Sequence, residues 1–149
     1  MKGTEETSKK PRVTIDTNLV VSGILFPKGN PAQLLKAFTA GKFHLVLTVK
    51  LFDEIKEVLS RDKIKIKYNI SDSKKNELLD ELSVAQEMSL SLENRELPVH
   101  SRDQKDDMVL RCAIMGKCDF LLTGDEDLLS MNGLPELSNL RIIKVTEFL

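Results

Sequence analysis

The sequence predicts an α/β fold built on a parallel sheet. Three observations predict it. Short β-branched apolar runs alternate with amphipathic stretches along the whole chain, the writing of strands joined by crossover helices. Two of the runs, in VTIDTN (Val13 to Asn18) and FLLTGDEDLL (Phe120 to Leu129), stop at or just before an acid and then feed a helix. A third, FHLVLT from Phe43 to Thr48, is almost continuously apolar, as a strand covered on both faces must be.

Size and charge narrow the class. At 149 residues the chain is one domain by length, and a domain of this size buries roughly 70% of its unfolded surface without staples. Hydrophobic residues make up 41% and charged residues 30%, the balance of a soluble globular protein. A net charge of -1 excludes a uniformly basic nucleic-acid coat but leaves room for a local basic patch. Cys112 and Cys118 form neither a disulfide framework nor a zinc set and read as small core residues, with His44 and His100 far apart in sequence. No run of eighteen or more apolar residues occurs, and MKGTEETSKK lacks the apolar stretch of a signal peptide. The expectation is a cytoplasmic protein with a flexible tail over residues 1–11 and a folded domain over 12–149.

The elements follow in order. Val13 to Asp16 is a short strand ending in a carboxylate, with Thr17 and Asn18 offering capping oxygens to a helix over Leu19 to Phe26. In open parallel sheets ligands bind beyond the carboxyl ends of strands, which is where Asp16 stands. The plainer role for Asp16 is a helix cap. FPKGNP is a turn, Pro31 opens a helix over Ala32 to Thr39 with Leu34, Leu35 and Phe38 on one side, and Gly41 stops it. After the strand Phe43 to Thr48, Thr48 caps a helix from Val49 to Ser60. At about 100° per residue Leu51, Phe52, Ile55, Val58 and Leu59 share one arc, Asp53, Lys56 and Glu57 face water, and Glu54 sits about 40° from Val58 on the lip of the arc.

RDKIKIK (Arg61 to Lys67) is a basic strip without a firm assignment. Asp72 to Gln86 is an amphipathic helix with Leu78, Leu79, Leu82, Val84 and Ala85 inward, Met88 to Glu93 a weak alternating strand, and Pro98 to Gln104 a loop. A helix from Asp106 to Met115 turns Val109, Leu110, Cys112, Ala113 and Ile114 to the core. Asp106 is in line with that face on the first turn, so it clears the core and points at the sheet's rim, where the helix dipole favours an anion. Asp107 and Asp103 are second candidates, and simple N-terminal capping is the plain alternative. Asp119 to Thr123 is a strand, Gly124 a tight turn, and Asp125 opens a short helix with Leu128 and Leu129. Arg141 to Val145 is the last strand and TEFL a closing turn.

Four acids, Asp16, Glu54, Asp106 and Asp125, thus converge by separate arguments. Carboxylates sharing a rim repel one another, and a hard divalent cation with oxygen ligands, Mg²⁺ or Mn²⁺, relieves the repulsion. Such a rim suits phosphodiester cleavage, and the absence of a GxxxxGK[ST] loop argues against nucleoside triphosphate hydrolysis.

VTIDTN with VVSGILF, Glu54 in LFDEIKEVL, DQKDDMVLRCA and FLLTGDEDLL together resemble the PIN domain family, named for the PilT N-terminus, and within it the VapC-like type II toxin components. The resemblance runs from about Arg12 to Leu149. It implies a three-layer α/β/α sandwich with a five-stranded parallel sheet and a Mg²⁺- or Mn²⁺-dependent endoribonuclease, usually a homodimer and often paired with an antitoxin protein. The family's acids fall on Asp16, Glu54, Asp106 and Asp125, with Asp16, Asp106 and Asp125 as metal ligands. Asn18 and Thr123 match the supporting polar residues. Asp107 stands ready to replace or assist Asp106, and Asp127 to assist Asp125. RNA would be steered by Lys63, Lys65 and Lys67 with Arg102, against the plain alternative of a solvated surface.

The competing reading keeps the fold and leaves the metal site idle, making the chain an RNA- or protein-binding module. A signal receiver or acidic-pocket phosphatase fits less well, because a receiver's acceptor Asp ends a middle strand and its paired acids end the first, whereas a lone Asp ends the first strand here.

Overall fold

A computed structural model describes residues 10–69, 71–83, 97, 98, 100 and 104–149, the last segment without the side chains of 104–106. The expected strand at Met88 to Glu93, most of the expected tail over 1–11, and residues Arg102 and Asp103 lie outside the described residues.

Four strands form one parallel sheet: β1 (Arg12–Ile15), β2 (His44–Leu45), β3 (Phe120–Leu122) and β4 (Arg141–Ile143), in the order β2-β1-β3-β4. The family resemblance implied five strands; four are present among the described residues. Val13 pairs with Leu45 on one side and Phe120 on the other, and Leu122 of β3 pairs with Ile15 and Ile143. Successive strand residues point to opposite faces. Val13, Thr14 and Ile15 are all buried, as are Leu121 with Leu122 and Ile142 with Ile143. Both faces of the sheet are therefore covered, which is why these strands read as continuous apolar runs instead of alternating ones.

The helices are α1 (Thr17–Leu25), α2 (Asn30–Thr39), α3 (Val49–Leu59), α4 (Asp62–Tyr68), α5 (Asp72–Ser83), α6 (Gln104–Met115), α7 (Glu126–Leu129) and α8 (Val145–Phe148), with a 3₁₀ turn at Pro135–Leu137. Helix α6 covers the Thr14 side of β1: the Thr14 hydroxyl donates to the Cys112 sulfur at 3.4 Å, and the Cys112 thiol donates to the Val46 carbonyl at 3.3 Å. Cys112 and Cys118 are buried in the core, as expected, and burial raises the Cys118 pKa. Helices α1 and α2 approach closely at Gly23, where a Cβ would stand 2.8 Å from both the Pro31 carbonyl oxygen and a Leu35 methyl.

Several boundaries differ from the sequence reading. Of the strand expected over Phe43 to Thr48, His44–Leu45 pairs with β1 among the described residues. After the Val46 N–H donates to the Val13 carbonyl, the chain leaves to let Thr48 cap α3. The last strand stops at Ile143, and Val145 begins α8 where a closing turn was expected. The strip Arg61 to Lys67, left without assignment, is helical, ended by Asn69 in the left-handed region at φ 50°. Helix α5 covers Asp72–Ser83, with the expected remainder to Gln86 outside the described residues, and its Leu79 and Leu82 join the core while Leu78 packs against it.

Candidate active site

The strand order reverses between β1 and β3: the chain crosses from β1 to β2 on one side, then to β3 and β4 on the other. The crevice beyond the carboxyl ends of strands at such a reversal is where parallel sheets bind ligands. Asp16 follows β1 directly, and Asp125 follows β3 by three residues. Both acids stand at the same end of neighbouring parallel strands.

Hydrogen bonds join them. The Asp16 N–H donates to the Leu122 carbonyl at 2.9 Å, fixing the acid at the level where β3 ends. The Thr123 hydroxyl donates to Asp16 Oδ2 at 2.8 Å and accepts the Asp125 N–H at 3.0 Å. Thr123 is fully buried, so its one hydroxyl locks the two acidic turns together. Asp125 caps α7 through Oδ2, which accepts the Leu128 N–H at 3.3 Å.

Glu54 arrives from α3. It is half-buried on the lip of that helix's apolar face, where Leu51, Phe52, Ile55 and Leu59 are buried and Asp53, Lys56 and Glu57 exposed, as the helical spacing predicts. The buried Thr17 donates its hydroxyl to Glu54 Oε1 at 2.7 Å. The sequence reading gave Thr17 a capping role. The structure gives the cap to Asp16, whose Oδ1 accepts the Asn18 N–H at 3.4 Å, and leaves Thr17 to hold Glu54. The signal was a hydroxyl directly after a strand-ending acid, but nothing in the sequence shows which distant side chain it meets.

Electrostatics follow this placement. Burial raises the Asp16 pKa above its ordinary 3.8; the bonds from Thr123 and Asn18 pull it back, and the charges of Asp125 and Glu54 push it up again. Asp16 therefore feels Asp125 and Glu54 as like charges.

The remaining candidates are placed less centrally or not described. Asp106 lies on the first turn of α6, and its side chain is outside the described residues. Asp107 is hydrogen-bonded to His100, Oδ2 to Nδ1 at 2.9 Å. Asn18 is exposed at the start of α1, and Asp127 is half-buried in the first turn of α7. Gly124 was expected to supply a tight turn, but its φ lies outside the left-handed region and a Cβ there would meet nothing within 4 Å. Lys63 and Lys67 are exposed on α4, and Lys65 reaches Asp72 at 3.9 Å.

The carboxylate oxygens of Asp16, Asp125 and Glu54 are hard ligands of the type that suits Mg²⁺ or Mn²⁺. Among the described residues, no three His, Cys, Asp or Glu side chains are gathered closely enough to hold one ion. No helix among them is long and apolar enough to cross a membrane.

The PIN domain family model matches residues 12–127. No curated protein matches the chain.

Proposed function

The chain belongs to the PIN domain family, whose members are generally nucleases, and from that premise we propose that it is a Mg²⁺- or Mn²⁺-dependent endoribonuclease. The observation that carries the reading is the Thr123 hydroxyl bridging Asp16 and Asp125 at the sheet's reversal point. Each acid also caps its own helix, but the buried Thr123 goes further: it joins the Asp16 carboxylate to the Asp125 backbone and so holds the two acidic turns side by side, where the Asp125 charge raises the Asp16 pKa.

In this reading Asp16, Asp106 and Asp125 hold the cation, and Glu54, oriented by Thr17, orients the attacking water. The bound metal would supply a nucleophilic water at neutral pH and charge for the phosphate oxygens. The protein's own residues set the positions. Thr123 fixes the Asp16 carboxylate, the α7 N–H groups fix Asp125, and the Asp16 carboxylate loses its proton more readily as a cation approaches.

The VapC-like toxin role, with an antitoxin partner, and the homodimer are parts of the proposal that rest on the family resemblance. Leu79 and Leu82 of α5 lie in the core and Leu78 packs against it. The second reading is an idle binding module that keeps the same fold. Incubation of defined RNAs with Mg²⁺, with Mn²⁺ and with chelator separates the two. Cleavage in metal and none in chelator is expected; intact RNA under all three conditions leaves the binding module.

A further inference from the structure

Charge in this chain is unevenly distributed. Between residues 56 and 75 seven Lys and Arg meet three Asp and Glu, while the whole chain carries -1. At the centre of that segment is α4, which buries no residue. It presents Lys63 and Lys67 to solvent and leaves Ile66 80% exposed. Its last residue, Tyr68, stacks edge-on against Phe26, with ring centroids 5.4 Å apart, and the Lys67 ammonium stands 5.4 Å from the Tyr68 ring centre. Phe26 itself is 48% exposed. An aromatic ring left half in water, beside a second ring and a lysine ammonium, keeps apolar surface that the fold does not bury.

Two helices tie this patch to the carboxylates. Asp16 caps the start of α1 and Phe26 its end, about 15 Å apart along a helix of that length. Glu54 lies within α3, and Arg61 just beyond its end is close enough to feel the Glu54 charge.

We propose that Phe26 and Tyr68, with Lys63 and Lys67, form a landing platform for single-stranded RNA, stacking unpaired bases on the rings and setting phosphates on the lysines. Its choice of RNA as the ligand rests on the nuclease reading above; its single-strand preference rests on the platform. Stacking on aromatic side chains requires bases free of a duplex, and single-strand binders combine such rings with a basic track. A second copy of this chain is a poor occupant, because a two-fold contact would set the same excess of positive charge against itself.

The test is fluorescence anisotropy in chelator, with a labelled single strand of about twelve nucleotides, within the site sizes of single-strand binders, and its duplex. Phe26→Ala should weaken single-strand binding about tenfold and leave duplex binding unchanged, while Phe26→Trp should bind as wild type. Lys63→Gln with Lys67→Gln, at exposed positions that spare the fold, should flatten the salt dependence by about 0.7 per lysine. Unchanged single-strand affinity in Phe26→Ala overturns the platform, as does equal loss on the duplex. A wild-type dimer that Phe26→Ala converts to monomer also overturns it and makes the patch an interface between copies. Because binding is read without metal, a protein that binds through Phe26 yet cleaves nothing refutes the nuclease reading alone. One that cleaves but ignores Phe26 refutes the platform alone.

Discussion

Asp16 is pulled in two directions. It caps α1 and accepts the Thr123 hydroxyl, both of which favour the ionised carboxylate, yet burial and its acidic neighbours favour the neutral acid, and the net pKa is raised. The sign of its contribution follows by linkage. In metal-free protein the stability associated with Asp16 is fully present below its ordinary 3.8 and is lost as pH rises through the raised folded value. Asp16→Asn keeps an acceptor for Thr123 and has no charge to bury. In chelator, its melting temperature should match wild type at pH below 3.8 and exceed it at neutral pH; a variant less stable than wild type at neutral pH would show that the raised pKa is misassigned. Thr123→Val tests the bridge itself. It strips a fully buried hydroxyl from Asp16 and leaves the Asp125 N–H without its acceptor. Urea melts should show a loss of about 1–3 kcal/mol, and the cleavage rate should fall about 10- to 100-fold, as with other groups that orient metal-binding side chains.

At the scale of elements, α3 shows how much the sequence discloses. Its apolar arc, its Thr48 cap and the boundary position of Glu54 all follow from helical spacing, because a period of 3.6 residues is a local property. The strand-ending acids were legible for the same reason: a strand that stops at Asp16 or before Asp125 is written in neighbouring residues. What was not legible depends on distant partners. Thr17 finds Glu54 across 37 positions and Thr123 finds Asp16 across 107. The length of β2 depends on its pairing with the distant β1, not on the apolar run Phe43 to Thr48 alone. Helix α4 escaped because it buries nothing, so no apolar period marks it. The core side of α3 has its own prediction. Ile55 is fully buried one residue from Glu54, and Ile55→Ala should cost about 2–5 kcal/mol through lost burial and the cavity left behind. Calorimetry that finds under 1 kcal/mol, roughly the cost of a methylene, would mean that α3 is not anchored by its apolar arc.

At the scale of the whole molecule, the parallel sheet reverses its winding between the two strands that deliver Asp16 and Asp125, and α3 brings Glu54 to the same crevice. Like charges held together by the fold make metal-free protein less stable than it would be with a cation bound, so Mn²⁺ should raise the melting temperature, with the rise growing as the logarithm of its concentration above the Kd. Asp16→Asn should lose most of that rise. An equal Mn²⁺ shift in both proteins would place the ion elsewhere. The most direct measurement is the initial rate of cleavage of a defined single-stranded RNA in Mn²⁺, wild type beside Asp16→Asn, both folded by circular dichroism. The proposed site predicts that wild type cleaves and that the variant is slower by at least about 10²-fold, the scale of removing one preorganised electrostatic group. Cleavage by Asp16→Asn at the wild-type rate would contradict it.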